Sequence, residues 1–290
     1  MVLSIMRTNQ RLRFFLSGLV LAFLLMNTGF VASAGLLPAG GTTTPTTLQG
    51  TPLRFMSWNS LFLNKDVESF NSALVKLQPD VIAIQEIGSV LVDELAANWQ
   101  ETYPYMELYP TGTPAGMGIV SRYPFRTTTR PDFDEQTGCN CQIVTIDLQG
   151  KTITLINAHP WPPEIEFTVP HHWSNLLALN TVNQDPIFDQ LLARIHAVDG
   201  PLLVAGDLNT MPFQPNVQRL QAILVDTFVE AGSGLGYTFP ADGKAYNLPS
   251  IPFMRIDYIF HSADWYATAT HVDAIPGSDH RYVIADLVLP

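Results

Sequence analysis

Several short apolar runs in this 290-residue chain stop at a carboxylate, an amide or a histidine, where packing alone gives no reason for one. Trp58-Asn59 closes the run from Leu53, Gln85-Glu86 closes Val81 to Ile84, and Ser121-Arg122 closes Gly118 to Val120. Asn157-Ala158-His159 follows Thr154-Leu155-Ile156, and Gly206-Asp207-Leu208-Asn209 follows Leu202 to Ala205. Arg255-Ile256-Asp257-Tyr258 opens another run, and Ser278-Asp279-His280 precedes the last. Asn59, Glu86, Asp207, Asn209 and Asp279 are hard oxygen donors, suited to Mg²⁺, Mn²⁺ or Ca²⁺ rather than zinc. His159 and His280 can serve as acid and base, and Asp257 can fix the tautomer of one of them. Arg122 can hold a phosphate or a neighbouring carboxylate. One divalent ion with oxygen ligands and two histidines make a machine for in-line attack of water on a phosphoryl centre.

Such residues work only if strand ends bring them together, which is how open α/β sheets build a site. The mature chain alternates strand-like and helical stretches. Leu53 to Trp58 is β-rich, Val67 to Leu77 has helical spacing, and Val81 to Ile84 has buried-strand length. Val90 to Trp99 is again helical. Strands follow around Gly118 to Ser121, at Gln142 to Leu148 and at Thr152 to Ala158, the last two forming a hairpin across Gln149-Gly150-Lys151. Ile187 to Val198 is the clearest helix of a stretch that begins with a Pro-rich loop at Pro160. Pro201 to Ala205 and Ile256 to Phe260 are strands, and Trp265 to Val272 with Tyr282 to Leu289 read as a closing pair. Late strands without helices between them indicate mixed sheets in one α/β domain. Gly232 to Gly236 is glycine-rich, but no strand and helix frame it, so it reads as a loop.

The motifs, taken in order from Leu53 to the C-terminus, resemble the endonuclease/exonuclease/phosphatase superfamily. That group includes DNase I-like nucleases, AP endonucleases, sphingomyelinases and inositol polyphosphate 5-phosphatases. Single dipeptides carry nothing; Gln85-Glu86, Gly206-Asp207-Leu208-Asn209 and Ser278-Asp279-His280 in order carry the resemblance. It implies a four-layered α/β sandwich, two mixed β-sheets face to face with helices outside. It further implies that Asn59 and Glu86 bind the metal, Glu86 being the principal ligand, with Asp279 beside it. By the same resemblance Asp207 positions or activates the nucleophile, and Asn209 contacts the scissile phosphate. His280 is the general base and Asp257 its orienting partner. His159 donates to the phosphate or leaving group, and Arg122 and Asn157 join the phosphate contacts. Asn157 taken singly also fits a strand-end turn.

The superfamily cleaves phosphate esters of nucleic acids, lipids and soluble phosphates, so the reaction is better specified than the substrate. A phosphodiester or phosphomonoester hydrolase is the first expectation and a secreted DNase I-like endonuclease the second. An inactive binding protein on the same fold would lack Glu86, Asp207 or His280, and all three are present. Hydrophobic residues make up 47% and charged residues 14%, which excludes a disordered acidic tail or a coiled coil. The net charge of −11 argues against a broad basic nucleic-acid face. A bound cation can supply positive charge locally instead.

Arg7, Arg11 and Arg13, the apolar run Phe14 to Met26 and Val31-Ala32-Ser33-Ala34 have the layout of an export signal, with an uncleaved anchor as the alternative. Residues 1–34 are therefore expected to be a signal peptide, 35–52 a Gly/Thr/Pro linker, and 53–290 the catalytic domain. Cleavage would take the charge from −11 to −14, because the three arginines leave and no acid does. The expected product is periplasmic or secreted, and monomeric. His159-Pro160-Trp161-Pro162-Pro163, running on to His171-His172-Trp173, can shape an apolar pocket or face a membrane. Cys139-Asn140-Cys141 reads as ordinary residues at a strand start, with an oxidised pair the minority alternative.

Overall fold

Strand β1 (Thr51–Asn59) turns Leu53 and Phe55 to one face and Met56 and Trp58 to the other, the period of two of an extended chain. Strand β2 (Val81–Gln85) does the same with Val81 and Ala83 against Ile82 and Ile84. Both faces are buried, which is why the sequence shows apolar runs rather than alternation with polar residues. Between them lies helix α1 (Val67–Leu77). Asp66 caps it by accepting from the Ser69 amide at 3.0 Å, and Phe70 and Leu74 are its buried stripe.

The computed structural model describes residues 49–131, 139–166, 178–180, 183–241 and 251–290. The export segment, most of the linker, and His171, His172 and Trp173 lie outside the described residues. After β2 come α2 (Ser89–Asn98), β3 (Tyr105–Tyr109), β4 (Met117–Ser121), β5 (Phe125–Thr129), β6 (Cys141–Leu148) and β7 (Lys151–Ala158). A short pair, β8 (Glu164–Glu166) and β9 (Ala178–Asn180), precedes α3 (Asp185–His196) and β10 (Leu202–Asp207). Then follow α4 (Pro215–Gln221), β11 (Val225–Asp226) and α5 (Thr227–Ala231). The last strands are β12 (Asp257–His261), β13 (Tyr266–Ala274) and β14 (Arg281–Leu289).

One six-stranded sheet has the order β13-β14-β1-β2-β4-β3 and the other β11-β12-β10-β7-β6-β5. Both are mixed: β1 pairs parallel with β2 and antiparallel with β14, and β10 pairs parallel with β7 and antiparallel with β12. The β6–β7 hairpin turns through Gln149 (φ 53°) and Gly150 (φ 91°), the left-handed pair a two-residue turn requires. Inward rows of the two sheets make a central core that includes Phe55, Ala83, Leu155, Ala205, Ile259 and Ala285. The outer faces pack on helices. Met56, Trp58 and Ile84 meet α1 and α2, while Ile156, Val204 and Phe260 meet α3 and α4. The fold is the expected four-layered sandwich. Strands β3 and β5 went unmarked in the sequence because they are edge strands of partly or fully exposed residues, without a clean apolar rhythm.

Candidate active site

The inward row of each central strand changes from apolar to polar at the same end of the sandwich. On β1 the row is Leu53, Phe55, Ser57, Asn59; on β7 it is Ile153, Leu155, Asn157. On β10 it is Leu203, Ala205, Asp207, and β12 contributes Asp257 ahead of Ile259. β12 runs antiparallel to β10 with Asp207 opposite Asp257, and β14 runs antiparallel to β1, so the N-terminal ends of β12 and β14 join the C-terminal ends of the others. Gly206 lets β10 hug β7 at this point. A Cβ there would sit 1.8 Å from the Ala158 carbonyl oxygen, and its φ is 149°.

Asp207 is the hub. The Asn59 amide donates at 3.0 Å to Oδ2 of Asp207 and at 3.0 Å to Oε1 of Glu86, holding two carboxylates from different sheets side by side. The Asn209 backbone N–H donates to Asp207 Oδ1 at 2.9 Å. Nε2 of His159 and Nε2 of His280 each lie 3.6 Å from Asp207 Oδ2. His280 Nδ1 faces Asp257 Oδ2 at 2.9 Å, so Asp257 fixes the ring with Nε2 toward Asp207. His159 Nε2 is also 3.9 Å from Glu86. Glu86 and Asn209 leave their strands in left-handed backbone (φ 51° and 50°), which turns both out of the sheet rows.

Burial pushes the Glu86 carboxyl up, opposed by His159 and Asn59 and reinforced by Asp207. For His280 burial alone would lower the pKa, but the Asp257 and Asp207 carboxylates outweigh it and carry the imidazole up to about 10. Asp207, Asp257 and His280 bring ligand-type atoms within 4.8 Å of one another, and all three are buried. Two supports, Thr238 and Phe239, were not singled out from sequence. The Thr238 hydroxyl accepts from the Ile256 and Asp257 amides at 3.1 and 3.3 Å, and the Phe239 ring packs on His280 at 4.8 Å. The Ser278 hydroxyl ties the motif to β1 by donating to the Asn59 carbonyl at 2.6 Å, and accepts from the His280 amide at 3.0 Å.

A family model described as the endonuclease/exonuclease/phosphatase family matches residues 56–280, from β1 to His280. The chain belongs to the endonuclease/exonuclease/phosphatase family. Its fold is similar to an endonuclease/exonuclease/phosphatase from Bacteroides vulgatus at 17% identity and TM-score 0.63, covering 83% of this chain and 100% of that one. It is similar to a humanized D. rerio TDP2 at 18% identity and TM-score 0.63, covering 82% and 99%. The D. rerio TDP2 complexed with a single-strand DNA product is similar at 19% identity and TM-score 0.61, covering 82% and 99%. No curated protein gives a significant sequence match.

Within this endonuclease/exonuclease/phosphatase domain, Asn59, Glu86, His159, Asp207, Asn209, Asp257, Asp279 and His280 gather at one end. Asp279 is buried and follows from its position beside His280, whose pKa its charge helps raise. Arg122 does not join them. β4 is antiparallel to β2, so Arg122 sits beside Asp80 at the far end, where it pairs with that carboxylate at 3.4 Å and lies over Tyr103. The five residues of β2 separate Asp80 from Glu86, and the six steps between them span about 20 Å at ~3.3 Å per residue. Asn157 reaches the right end but is spent on the fold. Its amide donates to the Ile84 and Gly118 carbonyls of the opposite sheet at 3.0 and 3.1 Å, and its oxygen accepts from Gln85 at 2.7 Å. Nothing is left to offer a phosphate. The cysteines also correct the expectation. Asn140 takes left-handed backbone (φ 43°), bringing the flanking Cα atoms to 5.2 Å, and Cys139 and Cys141 form a disulfide. Asn140 exchanges hydrogen bonds with the His159 backbone, so this bend also braces the histidine.

Proposed function

We propose that the protein hydrolyses phosphate esters with a divalent cation, Mg²⁺ first and Mn²⁺ or Ca²⁺ as alternatives. The observation that carries this reading is Asp207 Oδ2, shared between the Asn59–Glu86 pair on one side and the two histidines on the other. The donor set fits a hard cation. Glu86, Asn59 and Asp279 offer oxygens, and a carboxyl pushed up by burial beside a second carboxylate is what a cation relieves. A hard cation of this kind takes oxygen in preference to the imidazole nitrogen of His280. When bound, the cation would neutralise charge on the phosphate. Asp207 takes the proton of the attacking water, with His280, held by Asp257, beside it as the charge partner of that carboxylate, and His159 and Asn209 meet the phosphate oxygens.

A nuclease is the second reading, favoured by the fold likeness to a TDP2 that holds a single-strand DNA product. It is weakened by the cations. Arg54, Arg122, Arg126, Arg219 and Arg255 all pair with carboxylates of this chain, which leaves little for a nucleic-acid backbone. We place the enzyme outside the cytoplasm on the export-signal pattern of residues 1–34. Intact mass of the exported product tests that: a first residue of Gly35 is expected, and retention of Met1 in a soluble cytoplasmic product refutes it.

Plasmid DNA, bis(p-nitrophenyl) phosphate, lipid pyrophosphates and sphingomyelin should be assayed with Mg²⁺ and with EDTA. Turnover that disappears with EDTA and in His280→Ala is expected. Activity that survives both EDTA and Glu86→Ala would sink the mechanism, and plasmid nicking lost in His280→Ala would promote the nuclease.

A further inference from the structure

A cavity of about 380 Å³ opens at the free edge of the first sheet, between β13 and the loop after α5. Phe228, Leu235, Tyr237 and Val272 give it apolar walls, and Arg281 supplies its cation. Arg281 starts β14 opposite Ala274, on the row that continues inward through Val283 and Ala285. Its Nε is buried without a hydrogen-bond partner. Among the described residues no carboxylate pairs with it, whereas Arg54, Arg122, Arg126, Arg219 and Arg255 each hold one. A guanidinium carries five donors in a fixed fork that fits phosphate two bonds at a time, and leaving it unpaired and partly desolvated is costly.

The cavity shares a wall with the catalytic cluster. Arg281 directly follows His280, and its amide donates to the Thr238 carbonyl at 2.8 Å. The same loop that brings Tyr237 into the cavity lays Phe239 on the His280 ring two residues later. We propose that this cavity is a second phosphate subsite, in which Arg281 holds an anionic phosphate group distinct from the one attacked beside Asp207. The group is either a second phosphate of the substrate or free inorganic phosphate, and the chemistry of recognition is the same. Only the substrate-borne source rests on the hydrolase reading.

Inorganic phosphate and pyrophosphate are titrated calorimetrically into the full-length protein in EDTA, for the wild type, Arg281→Gln, Arg281→Lys and Leu235→Glu. Leu235 is 58% exposed at the cavity mouth, so the last variant sets a rival carboxylate against Arg281 without disturbing the core. Loss of a charge-assisted contact should weaken binding about 10-fold or more in Arg281→Gln and in Leu235→Glu, with partial recovery in Arg281→Lys. An unchanged Kd in both Arg281→Gln and Leu235→Glu, or absence of any phosphate binding by the wild type, overturns the subsite. With Mg²⁺ present, KM for an ester bearing a second phosphate is compared with KM for bis(p-nitrophenyl) phosphate. A selective rise in Arg281→Gln assigns the group to the substrate; equal effects alongside weakened phosphate binding assign it to a free anion. A wild type that turns over neither ester refutes the hydrolase reading and leaves the calorimetric result standing.

Discussion

Replacing Asn157 by leucine separates a role in holding the sheets together from a role in holding substrate. Leucine has nearly the shape of asparagine, so the change removes polar contacts with little change of volume. Three hydrogen bonds disappear, to Ile84 at 3.0 Å, to Gly118 at 3.1 Å and from Gln85 at 2.7 Å, all fully buried between the sheets. Each is worth about 1 kcal/mol, and stranding the buried Gln85 amide adds about 1–3 kcal/mol. Weak bonds from Gln85 to Ser57 and Ala83, at 3.3 and 3.4 Å, offset part of that. The expected loss is about 4 kcal/mol. In a domain of this size that lowers Tm by roughly 10 °C, and a loss of this order approaches the whole stability of many domains. Urea unfolding should show a lower midpoint at unchanged slope, while turnover per folded molecule, measured well below Tm, stays close to wild type. A variant that keeps its unfolding free energy within about 1 kcal/mol of wild type but loses turnover would show that Asn157 meets the phosphate after all.

Glu86→Gln keeps the shape of the site and removes one charge; Mg²⁺ should raise the Tm of the wild type and leave this variant almost unmoved in thermal melts. Arg255 is paired with Asp226 at 2.5 Å, both nearly buried, and Asp226 also caps α5. Arg255→Met should therefore cost about 3–5 kcal/mol in urea unfolding, and adding Asp226→Asn should recover part of it. Burial pushes the Glu230 carboxyl up, but hydrogen bonds from His261 and the Ala267 amide win and hold it below its ordinary value. Its contribution to stability is therefore complete above the ordinary carboxylate range and lost as pH falls through the lowered folded value. Tm measured against pH should show Glu230→Gln and wild type converging in acid; a gap that widens there would contradict the assignment.

Much of the active end was legible because strand physics writes it into the chain. A strand buried on both faces is mostly apolar through its middle, so Asn59, Glu86, Asp207 and His280 stand out at the ends of such runs. The helix at Val67–Leu77 was equally plain from its apolar spacing, and the structure adds the cap at Asp66. Edge strands β3 and β5 were not, because solvent on their outer sides removes the pattern. Thr238 and Phe239 were also silent: a threonine and an aromatic in a loop have no period, and only the closure of that loop over β12 and His280 gives them a task.

The sequence by itself determined the residue types, their order and the apolar runs of the strands, and the resemblance those motifs carry implied the layers. Strand direction was beyond it. The same motif, a polar residue closing an apolar run, appears at Glu86 and at Arg122, yet β4 runs against β2 and carries Arg122 to the opposite end. Hydrogen-bond allocation was beyond it too. Asn59 and Asn157 look alike in the chain, but the amide of Asn59 bridges the Glu86 and Asp207 carboxylates, while Asn157 exhausts its donors on the facing sheet. Both outcomes depend on which backbone lies across the gap, a property of the packed sheets that no local stretch of chain contains.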